Sequence, residues 1–110
     1  VSFIKIDVEG AEFFVIQGAK NTILKYNPVI TFEFGENSYD SYNIDPSDVY
    51  KYFETIGYDV FSIHGDLLDN NTFVSSSKIQ EFWDYIACPK KSSSSIQQYL
   101  KSHKAIKPKI

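Results

Sequence analysis

Phe3-Ile4-Lys5-Ile6-Asp7-Val8-Glu9-Gly10-Ala11-Glu12 is the stretch on which the reading of this chain turns. It begins as a short apolar strand, turns acidic, passes through one glycine and enters a helical pattern. A strand that ends in carboxylates and leads straight into a helix is the basic joint of an α/β domain. Ligands of open parallel sheets lie outside the carboxyl ends of the strands. Asp7 and Glu9 therefore fall where such a fold carries out chemistry. Strand 2–8 is almost continuously apolar, which suits a sheet covered on both faces. Lys5 and Asp7 share one face by the two-residue period, so they can pair with each other or with a ligand. Glu9 and Glu12 sit at the start of the helix, where the helix dipole favours carboxylates by about 0.3–1 kcal/mol.

The helical pattern covers residues 10–25, with Phe13, Ile16, Ala19 and Ile23 as its stripe, widened by Val15 and Leu24. Asn27-Pro28 ends it. Residues 29–34 (Val-Ile-Thr-Phe-Glu-Phe) form a second strand with Glu33 near its carboxyl end. Strand, crossover helix and strand predict a right-handed parallel unit, which brings Glu33 to the sheet edge of Asp7 and Glu9. A polar loop with Tyr39 and Tyr42 follows, at the height where a substrate would lie. Asp45 fits an N-cap, Pro46 a first helical position and Gly57 a left-handed C-terminal position, framing a helix over 46–56. A third strand is predicted over 58–63, and His64 ends it on the same edge as a loop residue. Residues 64–80 carry turn signals at Gly65-Asp66, Asn70-Asn71 and Ser75-Ser76-Ser77, with a short helical turn expected around 78–82. Residues 82–88 supply the last strand.

Composition sets outer bounds. The 110 residues make one domain at most, and 43% hydrophobic with 16% aromatic residues is enough for a packed core. No run of about 18 apolar residues suggests a membrane span. The chain has no methionine and no leader pattern, so an excised piece of a longer protein is expected. The single cysteine, Cys88, is expected as a buried small hydrophobe in a chain suited to a reducing, cytoplasmic compartment. One Cys and two His far apart give no metal-ligand spacing, and no metal is assigned. Residues 1–89 hold 5 lysines and 14 acidic residues, a charge of −9, whereas residues 90–110 hold 6 lysines and no acid. That basic, serine-rich segment is expected to be a solvated tail, with Ile96, Tyr99 and Leu100 able to form a short amphipathic helix. The chain contains no arginine, the usual bidentate reader of phosphate and bases, so no nucleic-acid partner is expected.

Taken together, Ile4-Lys5-Ile6-Asp7-Val8-Glu9-Gly10-Ala11-Glu12 and Val15-Ile16-Gln17-Gly18-Ala19 resemble the signature of the FkbM family of S-adenosylmethionine-dependent methyltransferases. Phe32-Glu33, Ile56-Gly57-Tyr58 and Tyr85-Ile86-Ala87-Cys88-Pro89 follow in the order and spacing of that family, so the resemblance covers about residues 2–90. It implies a Rossmann-like sheet of order 3-2-1-4-5-7-6, of which this chain would hold strands four to seven, order 4-5-7-6, with the last strand antiparallel. Residues 1–89 would then be the C-terminal half of a methyltransferase domain and residues 90–110 a basic Ser/Lys-rich tail. The half with the glycine-rich turn is absent, and strand four would expose its edge. The family implies S-adenosylmethionine as cofactor and a hydroxyl of a small molecule or glycan as acceptor. By the resemblance Asp7 and Glu9 line the junction of cofactor and acceptor, as catalytic and cofactor-binding residues, with Glu33 a further catalytic candidate. The helix-start reading stays for Glu12. Phe14 occupies a position usually polar in the motif and marks an extra contact surface. The alternative is a non-catalytic remnant or interaction module built on a half-sheet.

Overall fold

In the computed structural model the described residues are 3–6, 11–35, 42–79 and 84–102. The chain is a mixed α/β domain with an open five-stranded sheet and flanking helices. In order it runs β1 (Phe3–Ile6), α1 (Glu12–Gly18), α2 (Lys20–Tyr26), β2 (Val29–Glu33), α3 (Pro46–Thr55), β3 (Tyr58–Ser62), β4 (Leu67–Leu68), α4 (Asn70–Lys78), β5 (Asp84–Pro89) and α5 (Ser93–Ser102), the last preceded by a 3₁₀ turn at Lys90–Ser92. The sheet order is β1-β2-β5-β3-β4. β1 and β2 are parallel, with Ile4 opposite Ile30 and Lys5 opposite Thr31. β5 is antiparallel to both β2 and β3. β1, β2 and β3 therefore point the same way, and their carboxyl ends share one rim.

One face of the sheet carries the main core. Ile6, Ile30, Phe32, Tyr58, Val60, Tyr85 and Ala87 pack there against Phe13 and Ile16 of α1, Ile23 of α2, Val49 and Phe53 of α3, and Phe73 of α4. Phe32 stacks on Phe53 and on Tyr85, and Phe73 tilts against Tyr85 at 4.8 Å between ring centroids. Three tyrosine hydroxyls on this face donate to backbone carbonyls. Tyr58 Oη donates to the Pro28 carbonyl at 2.7 Å, Tyr52 Oη to Ile16 and Tyr50 Oη to Leu68.

The single helix predicted over 10–25 is two. The join is Ala19, whose N–H is shared between the Val15 and Ile16 carbonyls at 3.0 and 3.2 Å. The predicted stripe still faces the core, but Val15 and Leu24 point to solvent. Asn27, in the left-handed region at φ 49°, ends α2 ahead of Pro28. α3 starts as predicted, with the Asp45 carboxylate accepting from the Ser47 N–H at 2.9 Å, and Gly57 follows it at φ 80°.

Residues 64–79 hold more regular structure than their turn signals suggest. Ser62, Gly65 and Asp66 close a tight turn into β4, and Asp69 caps α4. The Thr72 N–H donates to Asp69 Oδ1 at 2.8 Å and the Asp69 N–H to Thr72 Oγ1 at 2.8 Å, a reciprocal capping box. Ser75-Ser76-Ser77 lie inside this helix. Ser76 Oγ donates to the Phe73 carbonyl, shares a 2.8 Å hydrogen bond with Tyr85 Oη, and lets the helix lie close to the sheet. The stretch carries too few apolar residues for a periodic signal, and Leu68 and Phe73 are its apolar anchors in the core.

Residues 93–102 are not a free tail. α5 lies on the second face of the sheet, with Ile96 and Leu100 against Phe61, Ile86 and Cys88. It is tied at its start by the Lys90–Asp59 ion pair (2.8 Å) and toward its end by Gln97 Nε2 donating to the Gly65 carbonyl. α5 covers only part of this face. Beside it, over β1 and β2, runs an apolar groove of about 550 Å³ lined by Phe3, Val29, Ile86 and Tyr99 among others. β1 ends the sheet, and its Phe3 is 64% exposed, so the two-sided cover predicted for this strand is not found among the described residues.

Candidate functional site

The rim formed by the carboxyl ends of β1, β2 and β3 is where the topology gathers the candidate residues. Asp7 and Glu9 lie outside the described residues. Glu33 is described. It closes β2, is half-buried and sits directly opposite Asp84, the first residue of β5. Cross-strand partners share a face, and like charges so placed cost roughly 0.2–1 kcal/mol relative to neutral neighbours. A structure that keeps two carboxylates in this register at a strand end holds a negative edge there. Lys5 lies on the same face, one rung down, opposite Thr31. Lys5, Thr31, Ile63, Asp84 and Ile86 line a depression of about 250 Å³.

Other features of the rim escape a reading by motif. Glu12, in the first turn of α1, is fully buried, a rare state for a carboxylate side chain. Phe14, one turn into the same helix, is instead 48% exposed and meets Tyr42, itself 41% exposed, edge-to-face at 5.7 Å. Asp84 becomes a rim residue only through its register with Glu33, which no spacing in the sequence announces. His64 lies in the turn after β3, as its loop reading anticipates, with its N–H donating to Ser62 Oγ at 3.2 Å. Tyr39 lies outside the described residues.

The displaced pKa values that stand out belong to groups of the scaffold. Burial pushes Tyr58 up to about 12 and Cys88 up to about 11, which makes Cys88 an inert core thiol, as its apolar surroundings in sequence predict. The hydrogen bond to Asp59 raises Lys90, and the Thr72 N–H lowers Asp69. Among the described residues no three His, Cys, Asp or Glu side chains come together as a metal-holding group. No helix among them is long and apolar enough to cross a membrane.

The described geometry is a sheet whose parallel strands β1, β2 and β3 end at one rim, with Glu33 opposite Asp84 there. The family model described as the Methyltransferase FkbM domain matches residues 1–60, which include β1, β2, α3 and the start of β3. No curated protein and no solved structure matches the chain. With more than half of its length in that match, the chain belongs to the FkbM methyltransferase family.

Proposed function

We propose that this chain forms the C-terminal half of an S-adenosylmethionine-dependent methyltransferase that methylates a hydroxyl of a small-molecule or glycan acceptor. The observation that carries the reading is the match over residues 1–60 joined to a sheet whose parallel strands end at one acidic rim. In this reading β1, β2, β5 and β3 correspond to strands four, five, seven and six of the larger sheet, and β5 is the antiparallel one. The open edge of β1 and the apolar groove beside it are what a sheet continuing past β1 would leave.

S-adenosylmethionine supplies an electrophilic methyl group on a sulfonium centre. A cationic sulfonium and an ammonium group suit a rim that carries Glu33 opposite Asp84, so the residues present fit one wall of such a site. The chain's own contribution to transfer is on the acceptor side. An acceptor hydroxyl must be aligned, relieved of its proton and shielded from water. Asp7 and Glu9 are the residues assigned to accept that proton and to orient the acceptor against the cofactor. Glu33 supports them from the neighbouring strand end. Glu12 stays a structural residue of the helix start.

Calorimetric titration of S-adenosylmethionine into this chain, and into one extended upstream, tests the reading. Weak or no binding to residues 1–110 and micromolar binding to the extended chain are expected, a difference of several kcal/mol. In the extended chain, Asp7→Asn and Glu9→Gln are expected to cut methyl transfer by about a hundredfold or more while cofactor binding changes less. No binding by either chain would remove the methyltransferase reading.

A further inference from the structure

We propose that the sheet face opposite α1–α4 binds a zwitterionic single-chain amphiphile, with its head group between Lys5 and Asp84 and its hydrocarbon tail in the groove beside α5. The site is built by strand register. Lys5 lies opposite Thr31 and Thr31 opposite Ile86, so one row crosses β1, β2 and β5. By the two-residue period Phe3 and Val29 share this face on one side of the row, and Asp84 shares it on the other. Away from the rim, the groove of about 550 Å³ runs along α5, whose Ile96, Tyr99 and Leu100 form its wall. Toward the rim lies the depression of about 250 Å³ that holds Lys5 and Asp84. Thr31 and Ile86 line both, so the two make one trough, apolar at one end and charged at the other.

Each end suits a different part of one ligand. The groove has the volume and the apolar walls of a small-molecule site. Phe3 and Tyr99 are 64% and 59% exposed, so a hydrocarbon chain laid there removes apolar surface of both partners from water. The other end presents one cation and one anion. They do not pair with each other, since the ion pair among the described residues is Lys90–Asp59. Glu33, next along the face, does not line the depression. A head group with a single negative charge meets Asp84 as well as Lys5, and one with a single positive charge meets Lys5 as well as Asp84. Only a head carrying both charges answers both side chains. The inference does not rest on the methyltransferase reading, and an upstream half lying over β1 would roof the tail.

The test is methyl NMR of the 110-residue chain titrated with dodecylphosphocholine below its micelle-forming concentration. Dodecanoate and dodecyltrimethylammonium are the singly charged comparisons, and glycerophosphocholine is the head without the tail. Micromolar binding of dodecylphosphocholine is expected, with shifts at Thr31, Ile86, Ile96 and Leu100 and none at Val49 on the other face. The singly charged chains are expected to bind about three-fold more weakly, and glycerophosphocholine at least about a hundredfold more weakly. Lys5→Gln should turn the preference toward dodecyltrimethylammonium, Asp84→Asn should turn it toward dodecanoate, and Tyr99→Ala should weaken all three chains. The variants are expected to keep the wild-type melting temperature within about 2 °C, because these side chains are exposed or partly exposed. Equal binding of the three chains by wild type, an unchanged preference in both charge variants, or shifts spread over both faces overturns the proposal. A dimer seen by sedimentation without ligand and lost in Tyr99→Ala gives the groove to a second copy and also overturns it.

Discussion

Tyr58 shows how much one side chain holds in this fold. It is buried, packs against Phe53, and donates its hydroxyl to the Pro28 carbonyl across the sheet. Its pKa is raised to about 12 mainly by burial. A raised folded-state pKa leaves stability intact below the unfolded value of about 10 and removes it as pH climbs from there through about 12. Tyr58→Phe is expected to cost about 1–2 kcal/mol at neutral pH, from the lost hydrogen bond and an unsatisfied carbonyl, and to flatten the loss of stability above pH 10. Thermal melts of both proteins between pH 7 and 11.5 check this. A parallel slope in the two proteins would reject it. The same residue scale also separates what motifs reveal from what they conceal. Phe14 stands out in sequence because it occupies a position usually polar in the family motif, whereas Glu12 reads as ordinary helix-start chemistry and is in fact buried.

Elements are where local signals and packing part company. α3 follows its capping residues closely, because Asp45, Pro46 and Gly57 each act on the helix ends locally, within a few residues of the chain. α4 is also locally encoded, but by a capping box that begins at Asp69 and not by an apolar stripe. Asp69→Ala is expected to destabilise α4, seen as a fall of a few degrees in Tm. The Thr72 N–H lowers the Asp69 pKa below its ordinary value near 3.8, so this contribution is present above that value and is lost as pH falls through the lower, folded one. Acid melts should therefore show the variant and wild type converging only at pH below about 4.

α5 depends on a tertiary contact instead. Gly65, at φ 91°, sits under it, and a Cβ there would lie 3.0 Å from Lys101 Cγ and 3.2 Å from the Lys101 backbone nitrogen. Gly65→Ala is expected to destabilise the protein by about 1–3 kcal/mol through backbone strain. It should also speed amide exchange in α5 before the rest of the sheet. Unchanged exchange in 93–102 would show that the helix does not need this seat. The serine-lysine composition of the segment favours solvation, and only the apolar strip on β3 and β5 turns Ile96 and Leu100 into anchors.

For the whole molecule, the asymmetry of cover is the feature that matters. Among the described residues four helices bury one face, and a single helix lies on part of the other, leaving a 550 Å³ groove beside an edge strand. If the methyltransferase reading holds, extending the chain upstream should raise Tm as well as create cofactor binding, because the added half would cover apolar surface now open. A rise of several degrees is expected, read by calorimetry on both chains. An extended chain that melts at the same temperature would count against a shared sheet.

The amino-acid sequence by itself determined the strand–helix alternation, the caps of α3, the left-handed glycine after it and the family. All of these rest on local backbone chemistry or on one contiguous motif, Lys5 to Glu12. The tertiary structure alone decided the register of β5 that sets Asp84 against Glu33, the short edge strand β4 and the docking of α5. It also decided the meeting of Phe14 with Tyr42 and the burial of Glu12. Each joins residues separated by tens of positions, or depends on which face of an element the rest of the chain covers, and neither periodicity nor propensity carries that information.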